Sequence, residues 1–372
     1  MNEKYKKISS EILGFAGIQI NGSNSWDIQV TNPEFYKMAI TGGPLGIGES
    51  YMQGFWEVEN LDEFISRVIK AQLDEKIRRK ISLLLQLFAM KLLNPQSKKR
   101  AFIVGERHYD LGNDLFMNML DSRMNYSCGY WNGAETLDEA QVNKLDLICR
   151  KLMLEPGMRV LDIGCGWGAF GKYAAEKYKV EVVGITVSKQ QVEFGRKSCA
   201  GLPVDFRLTD YRDMNEKFDR IVSVGMFEHV GGKNYRTYFK VARKCLRDEG
   251  LFLLHTIGRI ASLANLDPWT EKYIFPNGML PSVKQIGKAV ENLFVVEDWH
   301  NFGADYDKTL MAWYENFSLN WDKLKSNYPD YFFRMWKYYL LSSAGSFRAR
   351  KNQLWQIVLS PNGVPGGYYS VR

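Results

Sequence analysis

No apolar run in this chain approaches the roughly 18 to 20 residues that a helix needs to span a bilayer, so no transmembrane segment is expected. Met1 to Gly14 carry Lys4, Lys6 and Lys7 but no apolar stretch of the kind a secretory signal contains. Cysteine is scarce: five residues at positions 128, 149, 165, 199 and 245 give neither a disulfide framework nor zinc spacing. A reducing cytoplasm is the expected compartment. Internal repeats and low-complexity tracts are absent. Acidic residues are missing between Lys76 and Arg100, where eight basic residues flank an apolar middle. That segment fits a helix lying on an anionic membrane surface. Taken by itself it fits a core helix with solvated ends better. No recognised nucleic-acid motif accompanies the charge, and nucleic acid is not an expected partner.

What is present points to an enzyme of α/β class. The chain has 372 residues and 45% hydrophobic content, enough for about two domains with a buried core. Residues 1–95 read as a small, mostly helical unit with glycine-rich turns at Gly42-Gly43-Pro44 and Gly46-Ile47-Gly48. The polar stretch Asn94 to Arg100 marks the boundary, and residues 96–372 form the second domain. Thr136-Leu137-Asp138-Glu139 is a capping box opening a helix with Leu145, Ile148 and Leu152 on one side. Strands are expected at Arg159–Ile163, Glu181–Ile185, Val204–Leu208, Phe218–Val224 and Leu251–Thr256, with helices between them such as Asn234 to Leu246. This alternation builds a parallel sheet covered on both faces. Phe294–Trp299 and Leu354–Leu359 read as closing strands, separated by a long aromatic helical segment from Leu310 to Ser343.

The first strand runs into Gly164-Cys165-Gly166-Trp167-Gly168, which opens a helix from Phe170 to Tyr178. Glycine permits the sharp turn and leaves space for a ligand, and a helix N-terminus attracts polar or negative groups. The spacing is G-x-G-x-G, not the G-x-G-x-x-G of dinucleotide sites. With the leading Asp162, the loop resembles the S-adenosylmethionine (SAM) loop of Rossmann-like methyltransferases. A nucleotide-binding loop and a plain tight turn remain alternatives for the loop by itself. Ligands of open α/β sheets sit over the carboxyl ends of the strands. There the sequence places Thr186, Ser188 and Gln191, then Asp210-Tyr211-Arg212, then Met226-Phe227-Glu228-His229, then His255-Thr256-Ile257. Singly, each reads as a helix cap or loop anchor; together they argue for a site. The second strand lacks the acid that many methyltransferases use to hold a ribose.

Four segments carry a sharper resemblance: Asn125 to Trp131, Val222 to Val230, Leu253 to Gly258, and Phe302 to Tyr306. Together they are similar to the cyclopropane-fatty-acyl-phospholipid synthase family, as are Leu45 to Met52 and Ser97 to Ala101 in the N-terminal unit. Residues 361–372 match no part of it. The resemblance implies a Rossmann-like methyltransferase fold with a mostly parallel seven-stranded sheet. The implied activity is methylene transfer from SAM to the cis double bond of an unsaturated phospholipid acyl chain, with bound bicarbonate as base. It implies an anion cage of Cys128, Glu228, His255, Ile257 and Tyr306. Tyr126, Ser127, Asp162, Gly164, Gly166, Thr186, Gln191, Asp210, Tyr211 and Arg212 are the expected SAM contacts, with Thr186 and Gln191 in place of the missing acid. Phe227, Tyr130 and Trp313 are the expected aromatic neighbours of a developing cation, and His108 lies in a segment expected to cover the cofactor. Residues 1–95 become a membrane-docking domain, through which family members can also pair as dimers. The chain is then expected on the inner face of the membrane as a peripheral protein. Two other readings stay open: a methyltransferase giving a branched acyl product, and a non-catalytic membrane-binding protein on the same fold.

Overall fold

The computed structural model describes residues 2–73, 76, 112–263 and 265–372. Most of the basic segment Lys76 to Arg100, the boundary expected at residue 95, and His108 lie outside these residues. The chain forms two compact units. One gathers residues 1–119, 265–276 and 310–351; the other gathers 120–264, 277–309 and 352–372. The units therefore do not follow the sequence as two successive blocks.

The first unit is helical. Its main helices are Asn2–Gly14, Glu34–Met52, Leu61–Lys70 and Phe332–Arg348, with a two-stranded ribbon of β1 (Gln29–Val30) and β2 (Trp56–Glu57). Glu34–Met52 bends at Gly43, whose φ of 54° and ψ of −138° leave the helical region. Gly46-Ile47-Gly48, expected as a turn, lies inside this helix. Pro44 sits directly after the bend, where its missing N–H costs little. The aromatic stretch expected as one helical segment from Leu310 is broken. Helices Ala304–Leu319 and Trp321–Leu324 are separated at Asn320, and Phe332–Arg348 starts only after Tyr328-Pro329, where proline cannot continue a helix. No helix among the described residues is long and apolar enough to cross a membrane.

The second unit is built on a seven-stranded sheet. Its strands are β3 (Arg159–Ile163), β4 (Glu181–Thr186), β5 (Val204–Leu208), β6 (Phe218–Val224), β7 (Leu246–Arg259), β8 (Val295–Asn301) and β9 (Asn352–Ser360). The order is β5-β4-β3-β6-β7-β9-β8, parallel except for β9, which runs antiparallel to both its neighbours. All seven expected strands are present. β7 is longer than its apolar run because Leu246–Arg259 continues through charged residues at one end and Gly258 at the other. Buried Val, Ile, Leu and Phe from the strands meet Tyr235–Cys245 and Val283–Val290 on one side. On the other they meet Leu137–Lys151 and Ala169–Tyr178. The order reverses on either side of β3, which opens a crevice at the carboxyl ends of β3 and its neighbours.

Candidate active site

The carboxyl ends of β3, β4, β5 and β6 carry expected site residues, whereas His255 and Ile257, expected at the end of their strand, lie inside β7 because it runs on to Arg259. After β3, Gly164, Gly166 and Gly168 all have positive φ, at 83°, 54° and 92°. A Cβ on Gly164 would stand 2.5 Å from Met226 Cβ, whereas one on Gly166 would meet nothing within 4 Å. The loop is closed on its sheet side and open at Gly166, a cradle that a ligand can approach. Asp162, one residue before β3 ends, is buried, and burial pushes its carboxyl up to about 7 despite the nearby cation of Lys144.

Lys144 organises this region. It is buried in Leu137–Lys151, a helix started by the Thr136/Glu139 capping box. Its Nζ donates to Asn125 Oδ1 at 2.8 Å and to Ser127 Oγ at 3.0 Å. Burial lowers its pKa to about 8, with Asp121, Cys128 and Asp162 opposing the shift. Gln141, one turn earlier, donates from Nε2 to Ser127 O at 2.8 Å. Asp121 accepts from both the backbone and the side chain of Asn125, at 2.7 and 2.8 Å. The segment 125–127 is thus tied down at three points. A Cβ on Gly225, just past β6, would lie 3.9 Å from Ser127 Cβ and 4.0 Å from Tyr126 O. Gln141 and Lys144 escaped the sequence reading. The signal was there: two polar residues three apart on the face that carries Leu145, Ile148 and Leu152.

Beyond β4, Thr186 Oγ1 donates to Gln191 Oε1 at 2.7 Å, so this pair presents an amide where a carboxylate would otherwise stand. After β5, Asp210 caps a short turn and pairs with the Arg212 guanidinium at 2.7 and 2.8 Å. Tyr211 turns its ring into the core, T-shaped against Tyr238 at 5.1 Å.

The five residues of the expected anion cage all belong to this unit. Glu228, in the turn after β6, accepts from Ile257 N through Oε1 at 2.7 Å. Burial raises its carboxyl to about 7. His255 stands two residues before Ile257 on β7, fully buried, and burial holds its imidazole well below the ordinary value and hence neutral. Gln356 Nε2 of β9 is 3.3 Å from His255 Nδ1. With that amide donating, the imidazole proton sits on Nε2. Among the described residues, neither His255 Nε2 nor Glu228 Oε2 has a hydrogen-bond partner, although both atoms are buried. Unpaired buried polar atoms are costly and rare.

Cys128 is also buried, which pushes its thiol up well above the thiolate range; its Sγ donates to Gly129 O at 3.1 Å. The following residues are stitched to the start of Ala304–Leu319. Gly129 N and Trp131 Nε1 donate to Thr309 Oγ1 at 3.1 and 2.9 Å, and Trp131 N donates to Asp305 Oδ2 at 2.8 Å. Tyr306 is the next residue and is buried. Phe302 joins the two halves, with its ring 5.9 Å from His255 and 5.3 Å from Tyr130. Phe227 is stacked on Tyr235 at 4.3 Å inside the core. Trp313 belongs to the helical unit.

Residues 96–357 match the family model described as mycolic acid cyclopropane synthetase. The whole chain is 56% identical over 371 residues to the cyclopropane-fatty-acyl-phospholipid synthase of Escherichia coli (strain K12), covering 97% of that protein. The tail from residue 361, which matched no family segment by its motifs, falls within that full-chain alignment. A cyclopropane synthase from Mycobacterium tuberculosis aligns with 68% of this chain and 95% of its own, at 33% identity and TM-score 0.64. A mycolic acid cyclopropane synthase solved with S-adenosylhomocysteine and CTAB gives 34% identity and TM-score 0.63, over 68% of this chain and 95% of that one.

Proposed function

The chain belongs to the mycolic acid cyclopropane synthetase family and is an enzyme of the SAM-dependent methyltransferase class, and on that premise we propose that it cyclopropanates unsaturated acyl chains of membrane phospholipids. In this reaction the methylene group bridges both carbons of a cis double bond. S-Adenosylhomocysteine leaves, and one proton is lost from the migrating carbon. SAM supplies the electrophilic one-carbon unit.

The residues that would hold SAM are Tyr126, Ser127, Asp162, Gly164, Gly166, Thr186, Gln191 and the Asp210-Tyr211-Arg212 turn. The open approach at Gly166 and the anchored 125–127 segment support this assignment. An alkene is a poor nucleophile, so the protein must orient both partners and exclude water. Burial of Cys128, Phe302, His255 and Tyr306 suits that task.

The observation that carries the reading is that two of the expected cage residues each hold a buried, unpartnered polar atom. His255 Nε2–H is a donor and Glu228 Oε2 an acceptor. A small anion with both acceptor oxygens and a hydroxyl proton matches that pair, and bicarbonate, which would receive the proton lost on ring closure, has this chemistry. Glu228, with a pKa near neutrality, can keep or release a proton at Oε2 while Oε1 stays fixed on Ile257 N. Tyr306 would complete the cage as a further donor, Cys128 would serve through its backbone, and the Ile257 N–H would act by holding Glu228 in place. The substrate lies in a bilayer, so residues 1–95 and the basic segment are the proposed docking surface, with contact confined to the membrane surface.

The test is to incubate the protein with SAM, bicarbonate and vesicles of a monounsaturated anionic phospholipid, and to record proton NMR spectra of the acyl chains. Upfield cyclopropane signals that require SAM are expected. A mass gain without them identifies a branching methyltransferase instead, and no change overturns the reading.

A further inference from the structure

Residues 361–372, which the motif segments leave without a role, fold back onto β8 and onto the end of Leu137–Lys151. Asp298 of β8, 4% exposed at its side chain, receives a two-pronged contact from Arg372. Nη1 lies 2.6 Å from Oδ2 and Nη2 lies 2.8 Å from Oδ1. Ser370 Oγ adds a hydrogen bond to Oδ1 at 2.9 Å, and Tyr368 OH donates to Lys151 O, a carbonyl at the helix end, at 2.9 Å. Lys151, whose side chain is fully buried, stands 3.4 Å from Asp298 Oδ2 and 3.1 Å from His300 Nδ1.

An ammonium has only donors, so it fixes Nδ1 of His300 as the acceptor and puts the imidazole proton on Nε2. The His300 ring then packs 4.9 Å from Phe302 and 5.8 Å from Tyr130, edge-on to the latter. Phe302 is the residue that meets His255. A buried ion pair of this kind is poor evidence for stability, since desolvation offsets its attraction. Its geometry, by contrast, fixes one side of the site.

We propose that Arg372, Asp298 and Lys151 are positioning residues for the reaction: the 361–372 strap locks His300, which sets the Tyr130–Phe302 wall against His255. The proposal rests on the reading of Glu228 and His255 as the reacting site. The groups facing Lys151 are Asp298, which attracts it, and Arg150 and Arg372, which repel it, with His300 as its neutral acceptor. Lys151 titrates near 8. Removing the Arg372 charge should therefore raise its pKa, and removing the Asp298 charge should lower it.

The experiment compares R372A, R372K, S370A and D298N in the full-length protein, using the vesicle assay with SAM and bicarbonate. Turnover in R372A and D298N should fall about tenfold, less than the roughly 10²-fold that a full 1 Å misplacement of reacting groups can cost. KM for SAM should hold, and R372K should recover part of the loss. The alkaline limb of the turnover profile should move up in pH for R372A and down for D298N, a split that simple unfolding would not produce. Unchanged turnover in soluble R372A, or a loss matching the unfolded fraction with no movement of the limb, overturns the proposal. Should D298N fail to fold with Lys151 unpaired, R372A, R372K and S370A decide the matter. E228Q is run alongside. If it retains full turnover, the site reading is wrong whatever the strap variants do. If only E228Q is inactive, the positioning role alone is wrong.

Discussion

Glu228 is asked to be two things at once, a fixed acceptor for Ile257 N and a proton-exchanging group at its other oxygen. Its raised pKa has a consequence for stability. A carboxyl whose folded value, about 7, lies above the ordinary 4.5 stabilises the fold fully below 4.5, and that contribution is lost as pH rises through 7. E228Q removes this loss. Its Tm relative to wild type should rise between pH 5 and pH 8, by an amount corresponding to roughly 3 kcal/mol. Asp162, raised for the same reason, keeps part of the slope in both proteins. Thermal unfolding at the two pH values checks this, and parallel curves would contradict it. The same substitution, and Tyr306→Phe, should cut turnover while leaving SAM affinity in place. A parallel loss of both would remove these residues from the anion cage. At this scale the position of Glu228 just past the end of β6 was readable from the sequence. The sequence was opaque for Gln356, the one polar residue in the run Leu354–Leu359, because only the pairing of β9 with β7 brings it to His255.

Helix Glu34–Met52 shows how an element can defeat local reading. Its glycines and Pro44 spell turns, yet a bend at Gly43 lets the chain continue as helix and brings Gly46 against the opposite backbone. A Cβ on Gly46 would stand 2.0 Å from Met38 O, while one on Gly42 would meet nothing within 4 Å. Gly46→Ala should therefore destabilise the protein by about 2 kcal/mol or more, as steric insertion against backbone does. Gly42→Ala should be neutral or stabilising by up to about 1 kcal/mol. Urea titrations of both variants measure the contrast, and equal effects would mean that the bend does not require close approach. The capping box at Thr136 was legible because its chemistry is entirely local, within four residues. Strands β3 and β6 were legible to the residue because each ends at a glycine, and β5 because Val204, Phe206 and Leu208 alternate with charge between Pro203 and Thr209.

At the scale of the molecule, the parallel sheet could be read from alternation, but the division into units could not. Residues 265–276 and 310–351 group with the N-terminal helices through contacts distant in sequence, such as Lys272 with Glu49 and Arg334 with Tyr51 O. Membrane association belongs to this scale too. Protein with the charges removed at Arg78, Arg79, Lys98, Lys99 and Arg100 should sediment less with anionic vesicles than the original. The original should itself release as salt rises, since screening acts within roughly 8 to 10 Å. Salt-independent binding would instead favour apolar insertion.

β9, last of the strands in chain order, lies between β7 and β8, which both precede it. During synthesis those two strands emerge with their facing edges uncovered, and they stay so until residues 352–360 follow. Unpaired edges invite association with other chains, and a nascent chain halted before Asn352 would expose two of them. The partner of His255 reaches the site with the same strand. The contact to His255 and the cover for both edges therefore arrive together, with one strand.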